Sequence, residues 1–430
     1  EYKFRHAEHA CHAFKEGQGE GNMETFVQIG AGNIGRSFVG QLFARAGFEV
    51  VFLDVVDDVI NALNERGRYR VEIKDRQPET IWVENVRGVN SKDVAAAAQE
   101  IAKCRCAGTA VGPKALPYIY PTIAEGLKLR HAQGGGPLDI IICENMREAA
   151  AAMREGLKKH LPPDFPLDDM VGLVETSIGK MVPTMSAEDR AQDPLLVFAE
   201  AYNNLICDAS AFKNPVPNVP GLNPKHNMKA YVDRKSFIHN FGHALCAYLG
   251  YIEDPNLTTT WEAVEHPVVG PAVRAGMWES ARALIKVYPE EFNEQNQGEH
   301  IEDLISRFAN KALGDTLHRV GRDLQRKLSR EDRVIGPLLL DLQQGLEPTY
   351  TALCAAAGMH FLKPDEQGEL FPADAEFHSQ IVPKGLDHVL TAICGLDPKQ
   401  EPDATARELI KQAEAHIADC KRRGTSALEL

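Results

Sequence analysis

Thr25-Phe26-Val27-Gln28-Ile29-Gly30-Ala31-Gly32-Asn33-Ile34-Gly35 is the stretch on which the fold of this chain turns. An apolar run of strand length ends in three glycines at G-x-G-x-x-G spacing, and a helical stretch follows from Phe38 to Ala46. Phe48-Glu-Val-Val-Phe-Leu53 then reads as a second strand, ending at Asp54. Gly30 permits the tight turn, Gly32 lets backbone approach a pyrophosphate, and Gly35 allows close helix–strand packing. The helix N-terminus, entered through Ala31, Asn33 and Ile34, offers N–H donors and a positive dipole end to phosphates. The glycines alone are weak evidence; strand, helix and acidic residue in position together point to a dinucleotide. Asp54 is either an ordinary turn carboxylate or the acceptor of adenosine ribose hydroxyls. In the second role it would repel a 2′-phosphate, and Val55 and Val56 follow it where an arginine would be needed, so NAD is expected rather than NADP.

The alternation of strand and helix continues beyond this unit. Asp139-Ile-Ile-Ile-Cys143 and Met170-Val-Gly-Leu-Val174 read as later strands of the same sheet, with a helix-forming run at Ala149-Ala-Ala-Ala152 between them. After about residue 205 the strand signals fade, and amphipathic stretches take over at 227–249, 267–288, 301–313 and 404–423. The expected fold class is α/β, with an N-terminal Rossmann-type domain over 23–205 and a mainly α-helical substrate domain over 206–430. Residues 1–22 are polar and aperiodic and read as a flexible extension, with Met23 placed as a start just before the first strand. His6, His9, Cys11 and His12 in that extension would bind metal only adventitiously.

Composition excludes several classes. With 430 residues and 44% hydrophobic content, two or three full-sized cores are possible. No apolar run approaches the roughly 20 residues that a membrane span needs. A net charge of −14 argues against a nucleic-acid partner, and it obliges any anionic substrate to find a local basic pocket. Nine cysteines, an odd number without framework spacing, read as reduced and mostly buried thiols of a cytoplasmic protein. No Cys/His cluster has zinc-ligand spacing, so no metal is expected. The N-terminus lacks the apolar h-region of a secretory signal, and no coiled-coil heptad argues against a monomer.

A second segment carries chemistry: Asp233-Arg-Lys-Ser-Phe-Ile-His-Asn-Phe-Gly-His243. It places Lys235, Asn240 and His243 at K-x4-N-x2-H spacing. On an α-helix Asn240 lies roughly 140° and His243 roughly 80° from Lys235, so all three can face one cleft. A lysine able to lose its proton, an amide and an imidazole could abstract an alcohol proton without a metal. The spacing also fits a solvated helix with three polar residues.

These residues together resemble the polyol-specific long-chain dehydrogenase/reductase family. The likeness spans nearly the whole chain from Met23. It includes Ile29-Gly-Ala-Gly-Asn-Ile-Gly-Arg36, Cys143-Glu-Asn-Met146, Asn218-Val-Pro-Gly221, Arg234-Lys235 to Gly250, and the basic segment from Arg319 to Arg333. The resemblance implies NAD-dependent oxidoreduction with Lys235 as general base. Asn240 and Asn145 would hold the substrate oxygen, and His243 would orient the lysine or a substrate hydroxyl. Physical chemistry agrees: a free lysine, with a pKa near about 10.4, is too weakly acidic for this work, and desolvation beside the charge of NAD+ would lower it. Amide N–H groups would stabilise the developing alkoxide.

Arg319, Arg322, Arg326, Lys327, Arg330 and Arg333 put six cations into fifteen residues of an acidic protein. Charge alone fits a solvated face paired with Asp323, Glu331 and Asp332. The resemblance points instead to the branch acting on mannitol 1-phosphate, with Arg322, Arg326, Lys327 and Arg333 as candidates for the phosphate. The implied reaction is the interconversion of mannitol 1-phosphate and fructose 6-phosphate. Val174-Glu-Thr-Ser-Ile-Gly-Lys-Met-Val-Pro183 departs from the bacterial members of that branch, leaving Lys180 as a substrate contact or a surface lysine. Alternatives are a mannitol 2-dehydrogenase, a hexuronate reductase, and, more remotely, a non-catalytic NAD(H)-binding protein.

Overall fold

The computed structural model describes residues 23–183 and 185–429. Among them the strands are, in chain order, β1 (Thr25–Ile29), β2 (Glu49–Asp54), β3 (Arg68–Ile73), β4 (Glu79–Glu84), β5 (Val86–Asn90), β6 (Cys106–Thr109), β7 (Leu138–Ile142), β8 (Val171–Ser177), β9 (Val197–Ala199), β10 (Leu205–Asp208) and β11 (Leu222–Lys225). One sheet runs in the order β11-β10-β8-β7-β6-β1-β2-β5. Neighbours from β5 to β8 are parallel, while β10 is antiparallel to β8 and carries β11 parallel to itself. Between β2 and β5 the chain leaves the sheet to form the β3–β4 hairpin, which takes β9 as its third strand. The succession β5-β2-β1-β6-β7-β8 is the doubly wound order of dinucleotide-binding sheets. Its direction reverses between β1 and β6, and ligands of such sheets lie outside the carboxyl ends of strands at that point.

The sheet strands are apolar on both faces because both faces are covered. Successive residues feed opposite cores: Phe26, Val50 and Phe52 enter one, Val27, Ile29, Val51 and Leu53 the other. Phe26 stacks on Phe43 with ring centroids 3.7 Å apart, which seats the helix following the glycine turn. β10 and β11, of four residues each, carry the sheet past the expected boundary at 205; they are too short to stand out as apolar runs.

From Met228 the chain is helical. Met228–Arg234, a π-helical turn over Lys235–Asn240, and Phe241–Glu253 make one continuous rod. Residues Ala244 to Leu249 are buried on every side, as a helix at the centre of a domain must be. Val269–Val287, Leu317–Gly321 and Thr349–Gly358 pack around this rod, and Asp403–Arg423 packs on the last of them. The stretch expected at 301–313 starts earlier, as Glu294–Phe308. Asn293 and Asn296 cap each other's backbone there, and Leu313 falls in a separate 3₁₀ turn. A buried ion pair joins the two parts: Arg307 donates to both oxygens of Glu200, at 2.8 and 2.6 Å, and to the Gly179 carbonyl.

Eight cysteines among the described residues are free and buried. No helix among them is long and apolar enough to cross a membrane. His6, His9, Cys11 and His12 lie outside the described residues.

Candidate active site

The glycine turn sits where the sheet reverses. Gly30 has φ +94°, and a Cβ there would stand 2.5 Å from the Ala110 carbonyl oxygen of the neighbouring β6 loop. A Cβ on Gly35 would collide with the Gly30 carbonyl, so the helix can begin this close only without a side chain. Gly32, by contrast, faces open space, as a backbone that must admit a ligand should. Asn33 and Ile34 begin the helix and line a cavity of about 530 Å³. Asp54 reaches back across the turn, its Oδ2 accepting the Ala31 N–H at 2.7 Å and its Oδ1 the Val55 and Val56 N–H groups. The open backbone, the free first turn of a helix and the carboxylate at the β2 end fit a dinucleotide.

Beyond β7 the chain turns sharply through Glu144 and Asn145. Glu144 is buried, and its carboxylate accepts the N–H groups of Val111 and Gly112 at 3.0 and 2.8 Å. Burial raises its pKa, opposed by those bonds. Its work is to hold the β6 loop against the β7 loop, leaving Asn145 free to project into the cleft.

The third contribution comes from the π-helical turn. Phe241 N–H bonds the Ser236 carbonyl five residues back, so residues five apart stand one above the other. The wide α-helical angle expected between Lys235 and Asn240 therefore closes, and both line the same walls. Lys235 Nζ donates to Asn145 Oδ1 at 2.8 Å. Burial lowers the Lys235 pKa to about 8; the Arg333 charge adds to this and Asp332 opposes it. His243 makes no bond to Lys235. Its ring packs 4.5 Å from Phe308 and 5.1 Å from His239, with Nε2 buried and unpartnered. Burial holds both imidazoles well below their ordinary pKa, hence neutral.

Two cavities meet at these residues. The larger, on the glycine-turn side, also takes in Ala110 to Pro113, Lys180, His243 and Arg319. The other, of about 320 Å³, is bounded by Arg147, Ser177, Arg326, Ser329, Asp332 and Arg333. Glu144, Asn145, Ile178, Lys235 and Asn240 belong to both. A hydride donor in one and an acceptor in the other would meet at Lys235.

The basic run is not one helical face. Leu317–Gly321 and Leu324–Lys327 are separate short turns, divided by Asp323 at φ +74°. Arg326 and Arg333 reach the smaller cavity, whereas Arg322 and Lys327 line neither. Arg322 lies over the Phe371 ring at 5.3 Å. Lys327 is buried, donating to the Val320 carbonyl at 2.5 Å, and burial drives its pKa well below the usual value. Sequence reading missed Arg147 and Ser329, which carry no motif. Lys180 is no surface lysine: it is 6% exposed and donates to the Tyr202 carbonyl and to Asn203 Oδ1 at 2.8 and 2.6 Å. Burial lowers its pKa to about 7, with Glu200 opposing.

A doubly wound nucleotide-type sheet, a helical second part and a lysine–amide cleft between them define a two-domain Rossmann oxidoreductase. The chain belongs to the mannitol dehydrogenase family. The family's Rossmann domain matches residues 24–221 and its C-terminal domain residues 227–392. It is 36% identical over 376 residues to a mannitol-1-phosphate 5-dehydrogenase of Bacillus licheniformis, covering 86% of this chain and 95% of that protein. A protein of the same description from Brevibacillus brevis is 36% identical over 343 residues, 79% of this chain and 86% of the relative. Among solved structures, a substrate-free D-sorbitol dehydrogenase superposes with a TM-score of 0.75 at 14% identity, covering 95% of this chain and 97% of the other. Pseudomonas fluorescens mannitol 2-dehydrogenase, in a ternary complex with NAD and D-mannitol, gives 0.68 at 16% identity and 92% of each chain. At those identities the likeness is one of fold.

Proposed function

We propose that this protein interconverts D-mannitol 1-phosphate and D-fructose 6-phosphate with NAD, using a lysine and no metal. The observation that carries the reading is the wall shared by the two cavities, where Asn145, Lys235 and Asn240 stand together. The description of the relatives from Bacillus and Brevibacillus as mannitol-1-phosphate 5-dehydrogenases supports the substrate. NAD would rest on Gly30 to Gly35 with its ribose towards Asp54, and it supplies the hydride acceptor. Lys235, neutral above about pH 8, takes the hydroxyl proton as the carbon loses its hydride, and returns it in reduction. Because Asn145 Oδ1 accepts from Lys235, its Nδ2 hydrogens face the reacting oxygen, and Asn240 offers a second amide. His243 bounds the nucleotide side as a neutral ring. Arg326 and Arg333 are the cations placed for the phosphate. Among the described residues no three His, Cys, Asp or Glu side chains cluster as metal ligands. Eight buried free thiols suit a reducing compartment, and we assign the protein to the cytoplasm, as a monomer.

One observation favours a second reading, a mannitol 2-dehydrogenase or hexuronate reductase. Arg326 is already paired with Asp323 and Asp332, and Arg333 with Asp332, at 2.5 to 3.1 Å. Less positive charge is then left for a dianion than the count of arginines suggests. NADH consumption with fructose 6-phosphate, fructose and fructuronate separates the readings. The phosphate ester is expected to react fastest, and Lys235→Ala to lose about 10²–10⁴-fold in turnover while still binding NADH. Preference for fructose or the uronate would move the substrate assignment; undiminished turnover in the variant would remove Lys235 from the chemistry.

A further inference from the structure

Lys235 borders a third space. It is a pocket of about 20 Å³ that Asn145 does not line, bounded also by Ser177, Tyr202, Arg234, His239, His300 and Arg307. Its lining is rich in donors and poor in acceptors. The Arg234 guanidinium has no hydrogen bond or ion pair among the described residues; it lies over the rings of Tyr231 and Phe292, at 4.8 and 5.4 Å. Glu291, whose charge reaches Arg234, is bonded to the Tyr231 hydroxyl at 2.9 Å instead. His300 Nε2 is buried without a partner. Arg307 spends its donors on Glu200, Asp303 and Gly179. The acceptors in the lining are neutral: the Tyr202 hydroxyl, the Ser177 hydroxyl, which donates its proton to the Tyr231 carbonyl at 3.4 Å, and the Gly179 carbonyl, which already accepts from Arg307.

Arg234 therefore borders this small space with no bonded counter-charge, and Lys235, bonded to the neutral Asn145 amide, borders it too; Glu291 and Asp332 act on them only from a distance. Half-burying an arginine without a bonded counter-charge is costly, and a neutral water would satisfy its donors but not its charge. A space of this size holds one water-sized species, which excludes a carboxylate, a phosphate or a sugar. His239 and His300 are kept neutral, by burial first, and compete for no anion as charged groups. We infer that this pocket binds a single monatomic anion, a halide, seated between Arg234, Lys235 and His300. With the ring proton on Nε2, His300 donates to it. The anion sits beside the ammonium form of Lys235 and stabilises it. The other charged groups around Lys235 are Glu144, Arg147, Arg326, Glu331, Asp332 and Arg333 on the smaller cavity, Lys180 and Arg319 on the larger, and Arg307 on this pocket; of these Arg333 and Asp332 act on it most strongly.

Crystals of the full chain grown with sodium bromide in place of chloride test the site directly. The expected result is one anomalous bromide peak among Arg234, Lys235 and His300; a water or empty density there overturns the inference. In solution, the pH dependence of NADH-linked turnover is compared in sodium chloride and sodium gluconate at equal ionic strength. Chloride is expected to move the lysine midpoint up by about one pH unit, and Arg234→Met, which keeps the stem against the two rings, to abolish the difference. Identical midpoints in both salts with the native protein also overturn it. The solution arm rests on Lys235 acting as proposed above. The bromide arm does not, so failure of the reaction assignment and failure of the anion site are told apart.

Discussion

In the proposed mechanism Lys235 and Asn145 together set the pH at which the cleft works. A lysine brought to about 8 by burial is half neutral there, so oxidation, which needs the neutral amine, should rise through about pH 8. Reduction needs the ammonium and should fall across the same interval; initial rates in both directions check the crossing. Asn145→Asp puts a carboxylate where Nζ now meets an amide oxygen, and an adjacent negative charge favours the ammonium. The oxidation midpoint should therefore move to higher pH. Asn145→Ala leaves the charge alone but removes a donor to the reacting oxygen. Turnover should fall about 10²–10³-fold with the NADH dissociation constant unchanged, as stopped-flow and fluorescence titration would report. An unchanged kcat would take Asn145 out of the alkoxide site.

Two short elements do most of the positioning, and each depends on a local irregularity. The π-helical turn at Lys235–Asn240 inserts one residue more per hydrogen bond than an α-helix, which stacks the lysine over the amide. The glycine turn works by omission. Gly35→Ala would drive a Cβ into the Gly30 carbonyl, and we expect a loss of about 1–3 kcal/mol in stability together with the loss of NADH affinity. Gly32→Ala meets nothing within 4 Å, so stability should stay within about 0.5 kcal/mol. NADH binding should still weaken by about tenfold or more, because the methyl occupies the approach of the pyrophosphate. Denaturant unfolding and NADH titration of the pair separate the two roles. Equal affinity for NADH in Gly32→Ala and the native protein would place the pyrophosphate elsewhere.

Over the molecule as a whole, the cleft exists because the sheet part and the helical part, each with its own packing, are held in one relation. Arg307, on the helix Glu294–Phe308, is 11% exposed at its side chain and pairs with Glu200, 2% exposed, beyond the end of β9. The Glu200 carboxylate also accepts the Met181 N–H, and Arg307 donates to the Gly179 carbonyl, so the pair fixes the segment that carries Lys180 into the larger cavity. Truncating one partner leaves a buried charge. Arg307→Ala should cost about 3–5 kcal/mol in denaturant unfolding, and Glu200→Gln combined with Arg307→Met should recover a large part of it. A loss below about 1 kcal/mol in the single variant would mean that water already screens the pair.

The parts of this protein readable in its linear order are those whose physics is local. Three glycines between an apolar strand and a helix, and an aspartate at the end of the next strand, need only their neighbours to announce a nucleotide turn. The same holds for Lys235, Asn240 and His243 on one helical segment, and for the long apolar stripes that became the helical core. The tertiary structure decided the rest. Arg322 and Lys327 looked equivalent to Arg326 and Arg333 in a single basic run. The left-handed Asp323 sets Arg322 apart, a conformation held by Asp374, whose carboxylate accepts the N–H groups of Asp323 and Leu324 from a distant part of the chain, while Lys327 turns inward to the Val320 carbonyl. Arg147 reaches the smaller cavity from the β7 loop and Lys180 the larger one from beyond β8, neither within any motif. Asn145 meets Lys235 across ninety positions of sequence. Charge and spacing travel along the chain, but which cations face a cleft, and how far burial shifts them, depends on contacts between residues the sequence keeps far apart.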